Sequence, residues 1–136
     1  MTGAIKLKIP HQSSYHGIAL LVVGGLAARL DVSYEQLEDL QLALESVLDN
    51  GGYASTSEVT VELDLQDGGL AMIVGPLDGA ALKSDLEDER DDRLALGRLL
   101  GTLVEDVSLE SREDGDWLRL EKRVQVVRSE GFREPV

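Results

Sequence analysis

Several features are scarce or missing in this chain of 136 residues. Aromatic residues make up 4% of the chain, so a buried core has to be built mainly from Leu, Val, Ile and Ala. No apolar run approaches the roughly 20 residues of a membrane span; the longest, residues 17–28, contains Gly24 and Gly25 and ends at Arg29. The N-terminus has no charged-then-apolar signal sequence, and there is no cysteine. We therefore expect a cytoplasmic protein without a membrane segment.

Basic residues are also few. The chain has 13 of them against 26 acidic residues, which gives a net charge of −13. A chain this acidic repels a phosphate backbone, so we expect no binding to nucleic acid. Expected partners are proteins with basic surfaces. The length predicts one domain, residues 1–127, followed by a frayed tail at residues 128–136.

The hydrophobic pattern predicts a mixture of strands and helices. Ser33 and Gln36 form a capping box at the start of one helix. Residues 75–93 carry many charges and few large apolar groups, so we expect a mobile surface loop with at most one helical turn. Strands grouped in hairpins with helices between them predict an α+β two-layer sandwich, with a mixed, mostly antiparallel sheet and helices on one face. The predicted strands are residues 5–9, 58–65, 70–74, 107–111 and 117–124, and the predicted helices are residues 15–30, 33–50 and 94–104.

The element order and three local patterns carry a resemblance to a known family. The patterns are a strand ending in Ile9–Pro10, residues 34–50 (YEQLEDLQLALESVLDN) and residues 94–107 (LALGRLLGTLVEDV). Over residues 5–124 the chain resembles the histidine-kinase-like ATPases, specifically their anti-sigma-factor serine-kinase branch. The resemblance implies a Bergerat-type ATPase fold that binds Mg-ATP, captures a sigma factor and phosphorylates a serine of an antagonist protein. It also implies a possible homodimer.

The first site implied by the resemblance is the asparagine at the end of a helix. In the family this asparagine binds magnesium, and a glutamate four residues earlier positions a water or hydroxyl. Asn50 matches the metal-binding and nucleotide-binding asparagine, but Ser46 stands four residues before it and Glu45 five before it. At about 100° per residue, a spacing of five turns two side chains about 140° apart. Asp49 is turned by about 100°. We therefore expect the usual catalytic base to be missing, with Glu45 as the nearest candidate.

The second implied site is the adenine-binding aspartate of an Asp-x-Gly-x-Gly turn. In an ungapped alignment Pro76 occupies that position, and proline has neither a carboxylate nor an N–H. Asp78 and Gly79 would replace the nucleotide-binding pair if the loop shifts by two residues.

The third implied site is the glycine-rich end of the lid that covers the nucleotide. Leu94 and Leu96 stand at the glycine positions, whereas Gly97 and Gly101 have the spacing of helix-packing residues. The preceding residues 85–92 (DLEDERDD) include six acidic side chains, which repel a triphosphate unless magnesium lies between them. The sequence therefore predicts a degenerate or weak Mg-ATP site, and these acidic residues remain an alternative docking loop for a basic protein.

Each candidate residue also has an ordinary structural interpretation. Asn50 before two glycines is typical of a helix end. Glu45 and Asp49, four residues apart, either share a cation or form a solvated helix face. His11 and His16 have no acid at ligand spacing, so we expect an ordinary loop and helix-start histidine.

Two functions of different classes remain. The first is a regulatory protein of the anti-sigma type that acts by protein–protein binding to a sigma factor or an antagonist-like protein. The second is an active Mg-ATP-dependent serine kinase. It requires Asn50 to hold magnesium, Asp78 to bind adenine, and Glu45 or Asp49 to act as the base. Because all three nucleotide motifs depart from the family pattern, we favour the first function over the second. An unrelated α+β domain is a third interpretation.

Overall fold

The computed structural model describes residues 3–29, 32–49, 53–66, 68–87 and 96–123. Asn50, Leu94 and most of the acidic segment, residues 88–92, fall outside these ranges, as does the C-terminal tail. The strands are β1 (Gly3–Pro10), β2 (Glu58–Gln66), β3 (Gly69–Leu77), β4 (Asp106–Arg112) and β5 (Gly115–Arg123), and the helices are α1 (Ser13–Arg29), α2 (Tyr34–Leu48), α3 (Gly79–Leu86) and α4 (Leu96–Leu103).

The five described strands form one sheet in the order β1-β2-β3-β5-β4. Every ladder between them is antiparallel. β3 and β4 run in the same direction, but β5 lies between them, so the crossover connection creates no parallel pair. The α+β fold class is confirmed, and the sheet is antiparallel rather than mixed.

The helices cover one face of the sheet, and the core lies between the two layers. The alternation of β2 places Val59, Val61 and Leu63 in this core, where each is at most 2% exposed. Leu118 and Leu120 of β5 are fully buried beside them. This alternation of buried and polar residues predicted β2 from the sequence, because successive strand residues point to opposite faces. None of the described helices is long and apolar enough to cross a membrane.

Two long helices form the centre of the helical layer. The Nε2 of Gln41 donates to the carbonyl of Leu20 at 3.0 Å, and a Cβ added at Gly24 would lie 3.1 Å from that same amide. Gly24 is therefore a position of close packing between α1 and α2. The start of α2 has the predicted cap, because the N–H of Gln36 donates to Ser33 Oγ at 3.2 Å.

The segment after β3 differs most from the expectation. It was predicted to be a loop from residue 75, but β3 continues to Leu77 and the two-turn helix α3 follows. Asp78 caps this helix, since its carboxylate accepts the Ala81 N–H at 3.1 Å. Leu82 is fully buried and anchors the helix in the core. One buried leucine among small and polar residues gives almost no hydrophobic period, which is why the helix was missed.

The opposite face of the sheet carries a smaller apolar cluster of Ala71, Ile73 and Trp117. Trp117 is 5% exposed and its Nε1 donates to Asp114 at 2.8 Å. The guanidinium of Arg112 lies 4.1 Å from the centre of the indole ring. On this face the strands therefore form a small apolar cluster of their own.

Candidate functional site

The end of α2, where the sequence predicts the metal-binding asparagine, carries a histidine–aspartate pair. Asp49 is the C-terminal cap of α2, and its Oδ1 lies 2.7 Å from Nδ1 of His16 on α1. His16 is 5% exposed, while half of the Asp49 side chain is open to solvent. His16 lies in the first turn of α1, as expected, and although no acid stands at ligand spacing from it in the sequence, folding brings it to Asp49, 33 positions away.

His11 lies against this pair. The ring centroids of His11 and His16 are 5.6 Å apart. Burial, and then the neighbouring His16, lower the pKa of His11 below its ordinary value. Neither ring nitrogen of His11 has a hydrogen-bond partner among the described residues, nor does Nε2 of His16. Within the described ranges, no three His, Asp or Glu side chains come together as a metal site.

The residues that precede Asn50 on α2 have no arrangement typical of a catalytic base. Glu45 is exposed and makes no ion pair with the described residues. Ser46 stands where the family has its glutamate, and its hydroxyl donates to the carbonyl of Leu42 within the same helix at 2.7 Å. Because Asn50 lies outside the described residues, its metal-binding role and its orientation relative to Glu45 stay predictions.

Asp78 and Gly79, the expected substitute for the adenine-binding pair, both have structural roles in the fold. Asp78 uses its carboxylate to cap α3, and its backbone N–H donates to the carbonyl of Tyr53 at 2.8 Å. A Cβ added at Gly79 would lie 1.8 Å from Oδ2 of Asp116. Gly79 is therefore required for close contact with β5. Neither observation tests nucleotide binding by these residues directly.

The strand before this pair is irregular at the position where the family has its aspartate. The pairing of β3 with β5 shifts register between Val74 and Leu77. Pro76 lies in this interval and has no N–H to donate to a ladder. A Cβ at Gly75 would lie 2.4 Å from the Trp117 ring, so the indole packs directly on the glycine backbone. An indole and a proline therefore lie next to the residues that the resemblance assigns to adenine binding.

A tyrosine–aspartate hydrogen bond holds α3 to the core. Tyr53, 2% exposed, donates its hydroxyl to Oδ2 of Asp85, near the end of α3. Burial and this carboxylate raise the pKa of Tyr53 above its ordinary value. On the other side of α3, a Cβ added at Gly97 of α4 would lie 2.5 Å from the Leu86 carbonyl oxygen. Asp85 and Leu86, which were expected to lie at the start of the acidic lid, therefore belong to the end of α3. Asp85 contacts Tyr53, and Leu86 contacts Gly97 of α4.

Comparisons with known proteins bear on this site. No family model matches the chain. The chain is 29% identical over 126 residues to the serine-protein kinase RsbW of Bacillus pumilus, covering 79% of this chain and 78% of that protein. It is 28% identical over 129 residues to RsbW of Halalkalibacterium halodurans, covering 81% and 76% respectively. A shorter match to RsbW of Oceanobacillus iheyensis, 39% identical over 46 residues, spans 34% of this chain and 29% of that protein.

The fold is also found in a solved structure. A structure of the RsbU and RsbW domains of Rv1364c from Mycobacterium tuberculosis superimposes with a TM-score of 0.64 at 14% identity, over 90% of this chain and 32% of that one. The two-layer sandwich is thus a fold of the histidine-kinase-like ATPase type. Within that class, the similarity to RsbW proteins confirms the resemblance to the anti-sigma-factor serine-kinase branch.

Proposed function

We propose that this chain is a regulatory protein of the anti-sigma type that acts by binding a sigma factor or an antagonist-like protein, with a degenerate or weak ATP site. The observation that carries the proposal is that the carboxylates expected to bind the nucleotide already form hydrogen bonds within the protein. Asp49 is hydrogen-bonded to His16, and Asp78 caps α3. Each carboxylate already accepts a hydrogen bond from the protein through its Oδ1, so adenine or magnesium would have to share it through the remaining lone pairs.

The missing base supports the same proposal. Ser46 at the glutamate position is bonded to its own helix, and a serine hydroxyl there cannot take a proton from an attacking hydroxyl as a carboxylate does. Similarity over most of the chain to proteins named serine-protein kinase RsbW supports the family resemblance from which the regulatory role is taken. The fold is then retained for its surface, while transfer of phosphate is weak or lost.

An active Mg-ATP-dependent serine kinase is the second candidate. It is favoured by the name that the relatives carry, serine-protein kinase, and by the exposed carboxylates of Glu45 and Asp49, which precede Asn50 by five and one positions in the sequence. In that case Asn50 holds magnesium, Asp78 leaves the cap of α3 to bind adenine beside Gly79, and Glu45 or Asp49 accepts the proton of the attacking serine.

A thermal-unfolding titration with Mg-ATP and Mg-ADP separates the two candidates, with Asn50→Ala as the control. A ligand that binds only the folded state at 100 times its dissociation constant adds about 2.7 kcal/mol to the free energy of unfolding. The regulatory proposal predicts no shift, or a small one, at millimolar nucleotide. A large shift in the wild type that disappears in Asn50→Ala identifies a functional nucleotide site and favours the kinase.

A further inference from the structure

The outer surface of the helical layer carries an apolar strip on α1. Between Ser13 and Ala28 this helix has no Asp, Glu, Lys or Arg, although the chain is rich in charge. Leu21 is 75% exposed and Ile18 is 45% exposed. The apolar strip consists of the outward residues Tyr15, Ile18, Leu21, Gly25 and Ala28.

The spacing of this strip is that of a surface on which another helix packs. Ile18, Leu21, Gly25 and Ala28 follow the intervals 3, 4 and 3, which place side chains on one stripe of a helix. A Cβ added at Gly25 would contact no atom within 4 Å, so nothing inside the molecule requires a glycine there. Glycine inside a helix is about 1 kcal/mol less favourable than alanine. An external backbone that approaches closely would explain this residue.

An acidic ridge runs along the outward face of the neighbouring helix α2. It consists of Glu35, Glu38 and Glu45, with the half-exposed Leu42 between them. These four residues have the same intervals of 3, 4 and 3. The three glutamates make no ion pair with any residue in the described part of the chain. On the open face of the sheet, by contrast, Glu62 and Glu110 are both paired with Arg112.

The strip and the ridge lie side by side. The carbonyl of Leu20 on α1 accepts a hydrogen bond from Gln41 on α2, and Leu42 follows Gln41 in the sequence. His16, near the start of α1, is hydrogen-bonded to Asp49, at the end of α2. The two helices therefore run antiparallel. The surface therefore offers an apolar band, and along one edge of it lies negative charge that no residue of the described ranges pairs.

We propose that the apolar strip and the acidic ridge form a docking surface for an amphipathic helix of a protein partner, with leucine-type side chains on the strip and Lys or Arg along the ridge. This inference deepens the proposed function, on which it rests, by naming the chemistry of the partner. Charge complementarity selects that partner over two others. A second copy of α1 offers only Arg29 as a cation, and an anionic membrane surface repels the ridge.

The test uses a fluorescent peptide of about 18 residues, five helical turns, built from leucine and lysine with one apolar face. A matched peptide has glutamate in place of lysine. Binding is followed by anisotropy without nucleotide, so failure here is distinct from failure of the nucleotide-site proposal. The variants are Leu21→Asp on the strip and the single variant Glu38→Lys on the ridge. Glu113→Lys, in the exposed β4–β5 turn, is the matched charge control.

We expect the wild type to bind the lysine peptide and not the glutamate peptide. Leu21→Asp should weaken binding roughly tenfold or more, the effect of losing one buried leucine. The ridge variant should weaken it several-fold, and Glu113→Lys should leave it nearly unchanged. Because Leu21 is mostly exposed, its substitution leaves the fold intact, which circular dichroism checks.

Three results would overturn the proposal. The first is no binding of the lysine peptide by the wild type, or equal binding by wild type and Leu21→Asp. The second is a dimer in sedimentation that Leu21→Asp dissociates, which assigns the strip to a second copy. The third is co-sedimentation of the wild type with anionic vesicles that is lost in Leu21→Asp, which assigns it to a membrane.

Discussion

The hydrogen bond between Tyr53 and Asp85 gives the sharpest prediction about the site region, because it joins the end of α3 to a buried residue of the core. Tyr53→Phe removes only the hydroxyl and keeps the ring in the core. Hydrogen bonds to charged groups contribute about 1.5–3 kcal/mol each. Since Asp85 is partly exposed and can recover water, we expect the lower end of this range, about 1.5 kcal/mol. For a chain of this length that loss corresponds to a fall of about 5 °C in Tm.

The measurement combines urea unfolding with hydrogen exchange. The free energy of unfolding should fall, and amide exchange should accelerate in α3 (Gly79–Leu86) while the sheet keeps its protection. Tyr34→Phe is the matched control, since Tyr34 is 71% exposed and its hydroxyl has no partner in the described part of the chain. Equal stability of Tyr53→Phe and Tyr34→Phe, with unchanged exchange in α3, refutes the reasoning.

Two further predictions concern packing and pH. In α4, Gly97→Ala should lower the free energy of unfolding by about 1–3 kcal/mol, because its Cβ meets the Leu86 carbonyl oxygen, whereas Gly101→Ala has open space and should raise it by up to about 1 kcal/mol. Thermal melts that shift both variants the same way contradict this account. The pKa of His11 is lower in the folded state than its unfolded value of 6.5. The unfolded state then binds more protons, so the His11 contribution to stability is present above pH 6.5 and is lost as pH falls through the folded pKa. Unfolding free energies of wild type and His11→Gln should therefore diverge across that window, and parallel curves rule the effect out.

The elements with a strong hydrophobic period were predictable. The alternation in β2 and the stripe of Leu40, Leu44 and Leu48 on α2 each follow from burial on one face, and the Ser33 cap followed from local chemistry alone. The helix α3 was not predictable in this way, because it depends on the Asp78 cap, on the buried Leu82 and on the hydrogen bond between Asp85 and Tyr53. These are tertiary and capping effects, which override a weak period.

From the sequence, only the positions of the candidate site residues could be proposed, and their hydrogen-bond partners could not. The resemblance indicated Asn50, Asp49 and Asp78, but no local pattern connects Asp49 with a histidine 33 residues away. The contact exists because α1 and α2 pack antiparallel, and that is set by the whole helical layer. The contact of Gly79 with Asp116 depends on the register of β5 in the same way. The packing of elements far apart in the sequence therefore determines the contacts of Asp49 and Gly79.

The central claim is that the chain works through its surface and not through bound nucleotide. The most direct test measures binding of the wild type and of Asn50→Ala to sigma factors encoded in the same genome, with and without Mg-ATP, by surface plasmon resonance. The account predicts a dissociation constant that neither Mg-ATP nor Asn50→Ala changes. Binding that requires Mg-ATP and is lost in Asn50→Ala would contradict it.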